Sequence, residues 1–279
     1  MSLSPANAAE GSDLVHRAID LGINYFDTAD LYDKGMNETL LGNALKEKRN
    51  KIIIATKVGN QWRPDSSGWD WNPRKSYILN AVEASLKRLQ TDHIDLYQLH
   101  GGTIDDPIDE TIEGFEILKQ QGKIRYYGIS SIRPNVIRAY MERSSIVSVM
   151  LQYSLVDRRP EETILQLLQE KQIGVLSRGA LAQGMLVNKP PKAYLAHTGA
   201  EMIKASHAVN AISTLERSQA QTALRFVLDH PAVTAAVVGI TRKAQLEEVV
   251  AASDKPRLAT TERLQLETSA PAKLYDQHR

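Results

Sequence analysis

The chain has 279 residues, 42% of them hydrophobic, 24% charged and 6% aromatic, with 34 basic against 33 acidic side chains. That balance belongs to a globular protein and excludes a disordered tail, a collagen-like fibre and a low-complexity scaffold. A formal charge of +1 gives no long-range pull on nucleic acid or an anionic membrane, and the lack of cysteine excludes disulfides, thiolate metal sites and a cysteine nucleophile.

Short β-branched runs alternate with longer stretches of helical apolar spacing. In chain order, a helix over Gly11–Leu21 ends at Gly22 and leads into a strand, Ile23–Asp27, followed by a second strand, Ile52–Lys57. A helix over Lys75–Leu89 carries Ile78, Leu79, Val82, Leu86 and Leu89 on one face, and a strand follows at Ile94–His100. Next come a helix at Glu110–Lys119, strands at Ile124–Ser130 and Val147–Tyr153, and a helix at Glu161–Glu170 that starts just after Pro160. A strand at Ile173–Arg178 opens a stretch too long for one crossover. Its Gly184 and Pro190-Pro191 predict a long loop, and a helix around Thr214–Leu228 precedes the last strand, Ala235–Gly239. A closing helix, Thr261–Leu274, is expected as an added cap.

Strand after helix after strand predicts a parallel sheet with helical crossovers, and seven such units nearly close a (β/α)8 TIM barrel of the α/β class. No composition shift marks a linker, so one domain over residues 1–279 is expected. A barrel needs one more strand upstream, where only Met1-Ser2-Leu3 stands, so its first strand is expected to be largely missing. No apolar run approaches the roughly 20 residues of a bilayer span. Met1–Gly11 lacks the basic head and apolar stretch of a secretory signal, and a cytoplasmic address is expected.

Chemistry in such barrels collects at the C-terminal strand ends. Those ends read Asp27, Lys57, His100, Ser130 with Ser131, Gln152, Arg178, then Gly239 with Arg242. Asp, Lys and His at three successive strands, with Tyr32 close after the first, form a coherent proton-donating centre. A tyrosine ordinarily titrates near 10, too high for easy donation at neutrality, and a nearby ammonium stabilises its phenolate. Asp27 would hold Lys57 charged and aimed at Tyr32, while His100 orients and polarises a carbonyl oxygen. The set suits carbonyl reduction, with hydride to carbon and a proton to oxygen.

These segments resemble the aldo-keto reductase superfamily. Gly-Ile-Asn-Tyr-Phe-Asp27-Thr-Ala-Asp-Leu-Tyr32 is similar to its signature around the second strand, and Ile-Ala-Thr-Lys57-Val and Asp95-Leu-Tyr-Gln-Leu-His100 to the segments of its catalytic lysine and histidine. The branch most resembled is that of bacterial reductases related to the potassium-channel β subunit. The resemblance implies NADPH, held without a G-x-G-x-x-G or Walker loop. Ser130, Ser131 and Gln152 would bond the nicotinamide carboxamide. Leu181, Ala182, Gln183 and Lys189 would line the pyrophosphate, and Gly239, Thr241, Arg242, Gln245 and Glu248 the adenosine end. The turn at Gly239 is expected to open a helix whose N–H groups favour the 2′-phosphate.

Departures from the family pattern are Ser131 in place of a frequent Asn, Val249 in place of another, and Arg178 where an aromatic ring commonly stacks on the nicotinamide. Arg178 either lies against that ring, points to solvent or clamps the pyrophosphate. Trp62, Trp69 and Trp71 all fall in the loop after Lys57, where they either wall the substrate site or pack the loop. Arg158 and Arg159 read as solvated charges before an anion site, and Asp105 with Asp106 does not make a metal site without a second placed histidine. Two other readings stand beside an NADPH-dependent carbonyl reductase: a Schiff-base lyase using Lys57, and an NADPH-binding redox sensor with little turnover. Substrate, direction and oligomeric state are not set by the sequence.

Overall fold

The computed structural model describes residues 8–279. They divide into two compact units, the first carrying the described residues up to Val149 together with Gly239–Lys243, the second Met150–Val238 with Ala244–Arg279. The expected first strand, Met1-Ser2-Leu3, lies outside the described residues.

The first unit runs α1 (Ala8–Asp20), β1 (Tyr25–Asp27), α2 (Met36–Leu45), β2 (Ile53–Val58), a hairpin of β3 (Asn60–Trp62) and β4 (Trp69–Trp71), α3 (Lys75–Leu89), β5 (Ile94–Leu99), α4 (Ile108–Gln120), β6 (Ile124–Ser130) and α5 (Pro134–Arg143). β1, β2, β5 and β6 pair in that order, all parallel. Every residue of β5 is buried, as expected of a parallel strand covered on both faces. α3 spans the predicted limits and buries Ile78, Val82, Leu86 and Leu89; Gln90, in the left-handed region, ends it by donating to Leu86 and Lys87 carbonyls. Between α4 and the sheet, Phe115 stacks on Tyr127 at 5.2 Å and meets Tyr97 edge-on at 5.7 Å. Each such pair contributes about 1 kcal/mol beyond its buried area. The register Asp27↔Ala55 and Lys57↔Gln98 brings the ends of β1, β2 and β5 to one edge.

β7 (Ser148–Gln152) carries the chain from one unit to the next. In the second unit follow α6 (Ile164–Glu170), β8 (Gly174–Arg178), α7 (Gly199–Ile212), α8 (Gln219–Leu228), β9 (Val233–Val237), α9 (Lys243–Val250) and α10 (Thr260–Ser269). β8 and β9 are parallel.

Five expectations are corrected. The long loop after Arg178 contains a full helix, α7, started by a reciprocal cap between Thr198 and Glu201 and buried along a narrow stripe of Met202, Ala205, Val209 and Ile212. α8 begins at Gln219, because Thr214 and Arg217 exchange backbone hydrogen bonds in a turn and Ser218 is the cap. The last strand ends at Val237, leaving Gly239 beyond it, and the helix after Gly239 starts only at Lys243. The closing helix stops at Ser269. The tryptophan loop is an antiparallel hairpin with Trp62 opposite Trp69 and Asn60 opposite Trp71. Each strand is only three residues long and neither alternates cleanly between buried and exposed side chains, so no period-2 signal marks it in the sequence.

Candidate active site

Within the first unit the four residues at the edge of the parallel sheet come together. Lys57 is completely buried, with its Nζ 2.5 Å from Asp27 Oδ1 and 2.8 Å from the Thr28 carbonyl. Gln98 Nε2 donates to the other Asp27 oxygen at 3.4 Å. Burial raises the Asp27 pKa, and the Lys57 charge and hydrogen bond oppose that rise. Tyr32 opens a short 3-10 turn, Tyr32–Gly35, and is 39% exposed. The Lys57 ammonium stands 5.0 Å from the centre of its ring, and its ring meets His100 edge-on at 5.7 Å. A buried cation and an exposed phenol beside an imidazole form a site that can give a proton to a substrate oxygen from the solvent side.

A second layer lies behind these four and was not read from sequence. Thr56, beside Lys57, donates to Glu38 at 2.5 Å, and Arg88 Nε meets the other Glu38 oxygen at 2.7 Å. Gly35, with φ +82°, closes the turn after Tyr32 where a Cβ would stand 2.6 Å from Arg88 Nε, so Arg88 packs the turn from below. Asp33 and Lys34 are also left-handed, with φ of 49° and 53°, which costs each about 1 kcal/mol or more and marks a turn held by its surroundings. Asp30 is buried, and burial together with the Glu38 charge pushes its carboxyl up to about 7. The available signal was polarity where the pattern is apolar: Asp30 and Glu38 interrupt a run that folds inward.

The tryptophans separate. Trp71 wedges into the base of the hairpin: a Cβ on Gly59 (φ +122°) would stand 2.5 Å from its ring, and its Nε1 donates to both Asp106 oxygens at 3.0 Å. The ring packs the hairpin base, and Asp106, which also accepts from the Thr103 N–H at 2.6 Å, is thereby engaged. Among the described residues no cluster fit to hold a metal occurs. Trp69 is exposed, while Trp62 is half-buried with the Lys34 ammonium 5.3 Å from its ring. Of the remaining first-unit residues, Ser130 ends β6, and Ser131 is buried and accepts from the Arg133 N–H at 3.2 Å. Gly239, Thr241 and Arg242 form an exposed turn just before α9.

In the second unit, the Gln152 side chain is gripped at both ends. Arg178 Nη1 donates to its Oε1 at 2.9 Å, and its Nε2 donates to the Tyr194 hydroxyl at 3.0 Å. Leu181, Ala182 and Gln183 lie in a tight turn in which Ala182, Gln183 and Gly184 are all left-handed, and Lys189 folds back onto Gly184 through its N–H at 3.1 Å. Glu248 accepts from Ser218 at 2.5 Å, which commits one of its oxygens to the start of α8; Gln245 sits one turn earlier on α9. Arg158 pairs with Glu161 at 2.8 Å and Arg159 with Asp157 at 2.7 Å, so both are engaged within the protein.

Comparison with known proteins identifies the class. The model of the aldo/keto reductase family matches residues 1–268. An aldo-keto reductase of Bacillus halodurans, solved in its holo form, superposes with a TM-score of 0.90 at 47% identity, covering 98% of this chain and 91% of that one. An uncharacterised oxidoreductase of Bacillus subtilis is 49% identical over 95% of this chain and 89% of its own length. An aldo/keto reductase of Klebsiella pneumoniae, solved with NADP and acetate, superposes with a TM-score of 0.82 at 26% identity, covering 100% of this chain and 91% of its own. The protein belongs to the aldo/keto reductase family, and its fold class is that family's (β/α)8 barrel. No helix among the described residues is long and apolar enough to cross a membrane.

Proposed function

We propose that the protein is a single-domain, NADPH-dependent reductase of aldehydes or ketones in which Tyr32 is the proton donor. The observation that carries this is the buried Lys57 ammonium, held at 2.5 Å by Asp27 and directed at the ring of the exposed Tyr32. When bound, NADPH supplies the hydride. The chain's own groups handle the proton: His100 orients the carbonyl oxygen, the Tyr32 hydroxyl gives up its proton to it, and Lys57 stabilises the phenolate left behind. Asp27 balances Lys57, so that the ammonium keeps its charge inside the fold.

The residues present fit the cofactor. No heavy atom comes within 4 Å of a Cβ built on Gly239, so that turn is open to a close approach, and Thr241 with the exposed Arg242 precedes the N-terminus of α9. A guanidinium there suits a 2′-phosphate. Ser130, Ser131 and Gln152 would hold the carboxamide, and the turn at Leu181, Ala182 and Gln183 with Lys189 the pyrophosphate. Gln245 and Glu248 would face the adenosine. Trp62 and Trp69 would border the substrate, a small-molecule carbonyl compound. The test is NADPH consumption, followed by absorbance, over a panel of aldehydes, ketones and quinones. Turnover with a carbonyl compound supports the reading, and consumption with none overturns it in favour of a redox sensor. The lyase alternative conflicts with a Lys57 kept charged by Asp27, since a protonated amine is no nucleophile; borohydride trapping of a substrate adduct on Lys57 would establish it.

A further inference from the structure

We propose that Arg178 and Tyr194 are positioning residues that lock the Gln152 amide in one sense, so that it offers an N–H donor, rather than an interchangeable amide, to the cofactor's carboxamide. The inference rests on the reading of Gln152 as a nicotinamide contact and goes beyond it by naming what orients that contact.

A glutamine amide has a donor end and an acceptor end of nearly equal shape, and in isolation it can turn over by 180°. Here it cannot. A guanidinium has donors only, so the atom 2.9 Å from Arg178 Nη1 is the carbonyl oxygen, and Nε2 is left facing the Tyr194 hydroxyl at 3.0 Å. Turning the amide over would set N–H against N–H at Arg178. The stem of the side chain is held too, since a Cβ on Gly179 would stand 3.3 Å from Gln152 Cγ. Tyr194 is itself fixed: its backbone exchanges two 3.0 Å hydrogen bonds with His197, which is buried, and Thr198 then caps α7. Of the two hydrogens on Nε2, one goes to Tyr194 and the other is the donor presented onward.

Arg178 and Tyr194 also flank the segment that carries Leu181, Ala182, Gln183 and Lys189. One amide thus meets a residue at each end of that segment, while the segment's own turn is held by the backbone hydrogen bonds of Ala182, Gly184 and Lys189. On this account Arg178 acts through Gln152, and its charge is directed at an amide oxygen rather than spread under a nicotinamide ring.

The experiment is a double-mutant cycle read by equilibrium binding, using NADPH and, as a second probe, 2′-phospho-ADP-ribose, which lacks the nicotinamide. Gln152→Leu should weaken NADPH about tenfold, the loss of roughly one buried hydrogen bond, and leave the fragment within about twofold. Arg178→Met and Tyr194→Phe should each weaken NADPH several-fold, spare the fragment, and add nothing once Gln152 is Leu. Arg178→Lys, which keeps a donor, should recover most of the affinity lost in Arg178→Met. If Gln152→Leu leaves NADPH binding unchanged, Gln152 does not meet the nicotinamide and the proposal falls with that reading. If Gln152→Leu behaves as expected but the other two are silent, additive with it, or weaken the fragment equally, the lock alone is overturned.

Discussion

The cluster around Lys57 in the first unit and the cluster around Gln152 in the second use their polar groups in different ways. Around Lys57, charges are buried by regular strands and paired with one another, and one group, Tyr32, is left exposed for chemistry. Around Gln152, a strand-end amide is oriented by a residue on the adjoining strand and by a tyrosine 42 residues away in sequence, on a loop. The first arrangement follows from where strands end. The second depends on how a loop returns to the sheet. Removing a charge should therefore damage the first cluster in stability and rate together, whereas trimming the second should change binding with little effect on folding.

The largest effect is expected for Lys57→Met. It leaves the Asp27 carboxylate buried without its cation, a loss of about 3–5 kcal/mol of stability, and lowers carbonyl reduction by about 10²–10⁴-fold. The basic limb of the pH–rate profile should also move to higher pH. Denaturant unfolding together with that profile checks both; a stable variant with an unmoved profile would break the contrast between the clusters.

Next is Asp30. Burial and the Glu38 charge raise its carboxyl in the fold to about 7, above the ordinary aspartate range of about 4. The folded state thus holds a proton that the unfolded state releases, and the stabilising contribution present below about pH 4 is lost as pH rises through 7. Asp30→Asn should flatten this fall, with a gain over wild type on the order of 2–4 kcal/mol at pH 8 relative to pH 4. Unfolding curves at the two values decide it, and parallel slopes would show that Asp30 is ionised in the fold across that range.

The hairpin holds one packed and one exposed ring. Trp71→Ala empties the wedge against Gly59 and frees Asp106, for about 2 kcal/mol of stability. Trp69→Ala, on an exposed ring, should stay within about 0.5 kcal/mol. Equal losses would mean that the hairpin packs as one body. At the turn before α9, Arg242→Ala should weaken NADPH about tenfold and leave NADH nearly unchanged. An equal change for both would remove Arg242 from the phosphate.

Much of this was legible in the sequence where periodicity and position coincide. Asp27, Lys57 and His100 were visible because each ends a β-branched run, and α3 because its apolar residues recur at helical spacing. The parallel register then brings the three together without further information. What stayed hidden lacked a local signal. The buried stripe of α7, Met202, Ala205, Val209 and Ile212, is one residue wide, so its helix looked like loop. Tyr194 touches Gln152 only through the path of that loop, and Glu38 and Arg88 meet beneath Tyr32 across 50 residues of sequence. Arg178 stood out as a departure from the family pattern, but its partner, an amide on β7, could be found only in the fold.

In the proposed reaction Tyr32 gives the proton while the rest of the cluster holds it ready. Tyr32→Phe keeps the ring against His100 and Lys57 and removes only the hydroxyl. Single-turnover oxidation of bound NADPH by a saturating aldehyde, with NADPH affinity measured in parallel, isolates that hydroxyl's part in the reaction. The expected result is a rate lower by about 10²–10⁴-fold with the NADPH dissociation constant within about twofold of wild type. A loss of less than about tenfold would contradict it and assign the proton to another group.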